Sequence, residues 1–520
     1  MDILQKTLKK HFYISLGFFA LGLLFGFLYS LNLLGYAVDS QMLLPSNVRS
    51  AHISLMLYGF VPLMLSFLPF SLLHKDLGVN KKALRYLELY AYFWYFFLVI
   101  MTLSLLMGVR RHLAFYDFHY SLNVILAFSG LFYALALYHY IREYEKTPLW
   151  VRVSLAVVVI APFALLFLMN PVVGQVEATI SGPHGDNTLG MSLALIPIYY
   201  LIFKLLSTND FKARWHLFWI VPAVFYLLCV LHRIFVGHLS YNEEWLAQWL
   251  TLCYIPLLIR WYKDADMLKH SKRLLLVSIV AFLFVDIEGN LLFIPSIRWV
   301  FHRNDLVVAH AHIAMGVGVT FMALSLYGDI VSRLTRSLFV PQFLFGMLLI
   351  FVPLSLNGFV QAGYLHLDTQ LLWSLRSLGG IFIISSLFYL IVMSPRVSKE
   401  ELYHLGGLLS DGVGAVVLLL FGSWLYRELG WYFDGRYIYV VFGFMATTGG
   451  IHLLALLRRS KTAALATVIV RFGVAGMFFS LFLSHKLGIA ALLVGGYDLF
   501  YASLYLIGLY RPKYLENENV

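Results

Sequence analysis

The segment Leu306-Val-Val-Ala-His310-Ala-His312-Ile-Ala-Met315 heads a long apolar stretch and decides how the rest of the chain reads. At ~3.6 residues per turn, positions i and i+2 of a helix point roughly 200° apart, so one segment offers an imidazole to each of two flanking prosthetic groups. Histidine inside a bilayer is costly unless it ligates, pairs or lines a cavity. The pair therefore marks a candidate site on a membrane helix.

The surrounding composition agrees. Of 520 residues, 61% are hydrophobic and 12% charged, whereas soluble domains are roughly 45–50% apolar. About sixteen windows are long enough to cross ~30 Å of hydrocarbon. They lie near 11–35, 50–73, 86–108, 119–141, 150–170, 185–205, 215–238, 246–262, 273–297, 306–329, 338–362, 370–393, 405–426, 437–457, 464–484 and 487–509. The expected fold is an all-α polytopic membrane protein embedded in lipid. The first window is too long, and too poorly flanked by small residues, for a cleaved signal, and reads as a span.

Lys and Arg gather in every second connection: Lys6 to Lys10, Lys75 to Arg85, Arg142 to Lys146, Lys204 to Arg214, Lys263 to Arg273, and onward to Arg511-Pro-Lys513. The positive-inside rule places these connections and both termini in the cytoplasm. The net charge of +11 is then topology rather than a nucleic-acid-binding signal. A seam falls near 394–404, between the twelfth and thirteenth windows.

With that alternation, His52 starts the second span, His184 and Asp186 open the sixth, His238 ends the seventh, and His310 and His312 start the tenth. All lie toward the outer side, as a buried cofactor cluster requires. Glu288, in Val285-Asp-Ile-Glu288-Gly-Asn290, falls in the outer half of the ninth. An ionisable carboxylate at that depth is a functional candidate and a credible proton donor.

Residues from about 45 to 390 resemble, in order and spacing, the catalytic subunit I of the heme-copper oxidase and nitric oxide reductase superfamily. Asn47-Val-Arg-Ser-Ala-His52-Ile-Ser-Leu-Met56 is similar to the family's second span, and Asp305 to Met315 resembles its tenth. The resemblance implies a twelve-helix core over residues 1–400, followed by about four accessory transmembrane helices over 401–520. It also implies two hemes, b-type as in the branch that matches best. His52 and His312 would clamp a six-coordinate low-spin heme, and His310 would hold a five-coordinate high-spin one. Arg298 and Arg303, in the loop before the tenth span, would meet heme propionates, helped by Arg49, Arg110 and Arg111; guanidinium suits carboxylate.

The sequence departs from that family at the third metal. Where the matching branch reads Gly-His-Asn-Ala-Val-Gly in its sixth span, this chain reads Gly185-Asp186-Asn187-Thr188-Leu189-Gly190. The paired histidines ending the seventh span reduce to Gly237-His238. Three imidazoles suit copper, whereas a carboxylate with fewer imidazoles suits iron better. The expectation is a non-heme iron held by Asp186 and His238, with His184, His232 or Glu288 as the third ligand. The family's oxygen-reducing tyrosine would stand at position 190 or 231, which are Gly190 and Leu231 here.

The implied activity is reduction of nitric oxide to nitrous oxide, with Asp186 and Glu288 at the catalytic centre. The alternative is a terminal O2 reductase with copper in an unusual site. A transporter whose histidines line a proton path would carry no heme. Cys229 and Cys253 read as small buried hydrophobes and form neither a heme-attachment motif nor a copper loop. Electrons would then come from a cytochrome c or cupredoxin-like subunit, or from quinol. The expected location is the cytoplasmic membrane of a bacterium or archaeon. Beyond residue 400 stand His404, Asp411, His452, Arg471 and His485, with Asp411 and Arg471 expected to pair in an accessory bundle that docks a partner.

Overall fold

The computed structural model describes residues 3–36, 40–111, 116–148, 151, 159, 185–214, 217–237, 239–301, 304–331, 333–336, 338–392, 399–415, 418, 435–458, 460–484, 486 and 490–508. Among them helix dominates and no strand forms; one isolated antiparallel bridge joins Ser207 and Met267. Nine helical segments of the described residues are long and apolar enough to cross a membrane. The chain is thus an all-α, multi-pass membrane protein. Most of the window expected near 150–170 and part of that near 405–426 lie outside the described residues.

The chain separates into two compact units, Met1–Ala37 with Gln41–Leu390, and Ile391–Val520 with Val38–Ser40. In the first, α1 (Ile3–Leu33), α2 (Pro45–Tyr58), α3 (Val61–Ser66), α4 (Leu68–Leu77), α5 (Lys81–Leu106) and α6 (Asn123–Ile141) come first. They are followed by α7 (Gly185–Leu206), α8 (Leu217–Phe235), α9 (Tyr241–Trp249), α10 (Tyr254–Asp264) and α11 (Lys269–Leu292). Helices α12 (Asp305–Ala311), α13 (Thr320–Ser325), α14 (Phe339–Gln361) and α15 (Thr369–Val392) complete it. The second unit contains α16 (Lys399–Gly407), α17 (Gly435–Arg458), α18 (Lys461–Leu483) and α19 (Ala490–Gly508).

Polar caps set several helix starts. Asn80 accepts from the Ala83 amide to open α5, and Ser240 and Glu243 form a reciprocal capping box on α9. Three spans differ from regular helices. The second is broken into α2, α3 and α4, where Pro62 and Pro69 each remove an amide donor. The Tyr58 carbonyl near the first break receives the Trp94 indole N–H at 2.9 Å. The window near 246–262 forms two short helices joined by a 3-10 turn, Leu250–Cys253, because Pro256 cannot donate back across that turn. The tenth span changes to a π-helical turn, His312–Val319, immediately after α12.

Apolar helices in lipid gain little from hydrophobic contact with one another, so close packing and interhelical hydrogen bonds hold them. Ser30 on α1 bonds Ser377 on α15 at 2.8 Å, and Tyr199 on α7 bonds Ser278 on α11 at 2.8 Å. Small residues let backbones approach. A Cβ on Gly379 would lie 2.7 Å from the Gly346 carbonyl, and one on Gly358 would lie 2.7 Å from the Leu306 backbone.

That last contact positions the His-x-His segment. Asn304 caps α12 through the Leu306 amide, and its Nδ2 donates to the Gly358 carbonyl at 3.1 Å. One residue before Gly358, Asn357 donates to Asp305 at 2.6 Å. The start of α12 is therefore clamped to α14. Gly358→Val should overpack this contact at about 1–3 kcal/mol. A lower apparent Tm of the purified protein is expected, while Gly17→Ala, with nothing within 4 Å, should leave it unchanged.

Candidate functional site

His52 lies within α2, and its Nδ1 bonds the Gly22 carbonyl of α1 at 2.8 Å. The approach depends on a glycine. A Cβ on Gly26 would fall 2.6 Å from the His52 ring, so α1 can lie against the imidazole only without one. His312 opens the π-helical turn, and its Nδ1 bonds the Val308 carbonyl one turn back at 2.7 Å. An imidazole that donates one N–H to a carbonyl has its tautomer and orientation set, with the other nitrogen left as an acceptor.

The two rings stand 6.4 Å apart between centroids with planes 25° apart. An imidazole nitrogen coordinates a first-row metal at about 2.0–2.1 Å, so two imidazoles on opposite sides of one metal have centroids a little over about 6 Å apart. The spacing and the two occupied Nδ1 atoms fit one metal held by both Nε2 atoms. Both rings lie deep in the protein yet keep accessible surface.

Arg376 on α15 adds a cation. It acts electrostatically on both histidines and on Asp305. Its Nε and Nη2 are buried and make no hydrogen bond, as is the Trp373 indole N–H one turn earlier. Unsatisfied buried guanidinium nitrogens are expensive, and an anion would satisfy them. A metal porphyrin with carboxylate side chains fits these residues on both counts.

His310, two residues before His312, turns to a different neighbour. Its Nδ1 meets Glu288 Oε2 of α11 at 3.2 Å. Gly289 again makes room, since a Cβ there would sit 3.1 Å from the His310 ring and 3.2 Å from the Gln248 amide nitrogen. Glu288 thus lies behind His310, in the carboxylate–histidine arrangement that strengthens a metal ligand.

Arg298 is buried in the short helical turn Arg298–Phe301 before α12. Its Nη1 donates to Glu244 Oε2 at 3.1 Å, and its guanidinium stacks 3.7 Å from the Tyr241 ring centroid. It braces α9, which also carries Gln248. His232 on α8 has a buried Nδ1 with no hydrogen-bond partner, as a nitrogen available to a metal would. Asp186 is the second residue of α7, but its side chain, like His184, His238, His302 and Arg303, lies outside the described residues. Among the described residues, no three His, Cys, Asp or Glu converge as a metal cluster.

The structure brings His52 to His312 and His310 to Glu288. Sequence reading missed Arg376, Glu244 and Gln248. Arg376 carried a signal, as an arginine several residues inside an apolar window; Gln248 sits in a segment read as an ordinary span, and Glu244 in the connection just before it.

Comparison of the whole sequence with protein-family models and with characterised proteins finds no match. The resemblance therefore rests on the sequence motifs. Gly26→Val should displace the His52 ring and weaken hemin uptake by the purified chain by roughly tenfold or more. Titration followed by the visible absorption of six-coordinate heme measures this, with Gly17→Ala as the control.

Proposed function

We propose that the chain is the catalytic subunit of a membrane nitric oxide reductase, built on a twelve-helix core of the heme-copper oxidase type. The observation that carries this reading is the 6.4 Å separation of His52 and His312 with both Nδ1 atoms held by backbone carbonyls. A proton path lined by histidines has no need of that spacing.

When bound, two b-type hemes and a non-heme iron would supply electron transfer and the metals at which two NO, two electrons and two protons give N2O and water. His52 and His312 would ligate the first heme, with Arg376 beside its anionic edge. His310 would ligate the second. Glu288, accepting the His310 Nδ1 proton, would orient that ring and raise its donor strength. Asp186 and His238, with His232, would hold the non-heme iron, and the carboxylate in this set favours iron over copper. Gly190 and Leu231 stand where an oxygen reductase would carry its tyrosine, which supports NO over O2 as substrate. Electrons would enter from a cytochrome c or cupredoxin-like subunit or from quinol, in a bacterial or archaeal cytoplasmic membrane with both termini inside.

Metal analysis should find two hemes, one further iron and no copper per chain, with NO consumed and N2O formed. Stoichiometric copper with rapid O2 consumption would replace this reading with an oxidase. Glu288→Gln should lower turnover by roughly 10–100-fold and raise the midpoint potential of the high-spin heme in a redox titration, because the His310 ligand loses its anionic partner.

A further inference from the structure

The second unit gathers a buried ionic cluster that the proposed chemistry does not use. Arg471 lies at the middle of the candidate span Thr462–Leu483 and is only 1% exposed. Its Nη2 donates to Asp411 at 2.5 Å and its Nη1 to Asp498 at 2.5 Å. Asp411 comes from a second π-helical turn, Leu408–Val413, and Asp498 from the middle of α19. The Asp411–Arg471 pair expected from sequence is thus a triad. The rings of Tyr501 and Tyr497, one turn apart on α19, stack 4.3 Å and 5.6 Å from the guanidinium.

A histidine pair closes the other side. His452 of α17 and His404 of α16 approach through their Nδ1 atoms at 3.0 Å, a contact that holds one proton and not two. His452 Nε2 lies 3.5 Å from Arg471 Nη2, which can only donate. His452 therefore carries its proton on Nδ1, and His404 carries its own on Nε2. That Nε2 is buried and makes no hydrogen bond. The pair is complete when neutral, since an added proton would set N–H against N–H or against the guanidinium. Gly407 fixes the pair, because a Cβ there would overlap the His452 ring. Glu400 of α16 lies within electrostatic reach of His404 and accepts from Tyr505 at 3.1 Å, and Tyr403 stacks on the His452 ring edge.

The charges do not balance. One guanidinium faces two carboxylates, and the histidines are neutral, so full ionisation leaves an uncompensated negative charge in an apolar interior, which is strongly unfavourable. One bound proton removes it. Asp411 accepts from both Arg471 and Ser410, the latter at 2.9 Å, and so has two donors to hold its charge. Among the described residues Asp498 accepts from Arg471 alone, and it keeps 13% of its side chain accessible.

We propose that this cluster is a proton-binding site in the membrane, with Asp498 as the group that takes up and releases the proton. The ligand is a proton from the aqueous phase. Its uptake converts the Asp498 carboxylate to the acid and the cluster from a net negative charge to neutrality. Arginine does not give up its proton, so Arg471 separates the exchanging carboxylate from the histidine pair rather than conducting between them. The site stands independently of any heme.

Infrared difference spectra of the full-length protein in lipid vesicles, recorded between two pH values, test this. The wild type should show a carboxylic-acid C=O band that shifts in D2O and disappears on the alkaline side. Asp498→Asn should abolish it, Asp498→Glu should move it without loss, and His452→Gln should leave it in place. The Glu variant, which keeps the acid, preserves the test if the Asn variant fails to fold. Absence of the band from the wild type, or its loss in His452→Gln with retention in Asp498→Asn, would overturn the proposal.

Discussion

In hydrocarbon, each backbone carbonyl and buried side chain must find its partner within the protein, and this constraint organises the molecule. At the candidate site it takes the form of two carbonyls, those of Gly22 and Val308, each holding a histidine Nδ1. Fixing these nitrogens leaves Nε2 as the chemically useful atom of His52 and His312. The glycines beneath His52 and His310 follow from the same demand, because the helices must come close enough for the bonds to form. Clamping of α12 by Asn304, Asn357 and Gly358 keeps the His-x-His segment in register with α2 and α11.

Much of the fold was legible because hydropathy and helix length are local properties. Each of the nine long apolar helical segments among the described residues falls on an expected window, and the caps at Asn80 and Ser240 follow local rules. The two imidazoles on one segment were likewise readable, since His310 and His312 turn to different neighbours. Their partners were not. Glu288 reads as an isolated membrane carboxylate, and only the packing of α11 on the tenth span shows that it faces His310. Arg298 is expected from the sequence to meet a heme propionate, whereas the fold buries it against Glu244 and Tyr241. Arg376 acquires its meaning from unbonded nitrogens beside two histidines on other helices, a tertiary fact that no window reports.

The irregular helices carry a similar lesson. π-helical turns widen a helix and recur at functional sites. Here one begins at His312 and another contains Asp411, and both carry groups that need a particular orientation in a crowded interior. Apolar composition alone predicts uninterrupted helices at both places. The buried residues around Arg471 show how far a second unit can be polar inside while remaining apolar by composition, provided that each charge has a partner.

The central proposal is that His52 and His312 would together hold one heme. Near-infrared magnetic circular dichroism of the purified protein reads axial ligation directly. The account predicts one bis-histidine low-spin heme per chain, lost in His52→Ala and in His312→Ala and retained in His232→Ala. A preparation without heme, or a low-spin signal that survives removal of either histidine, would contradict it.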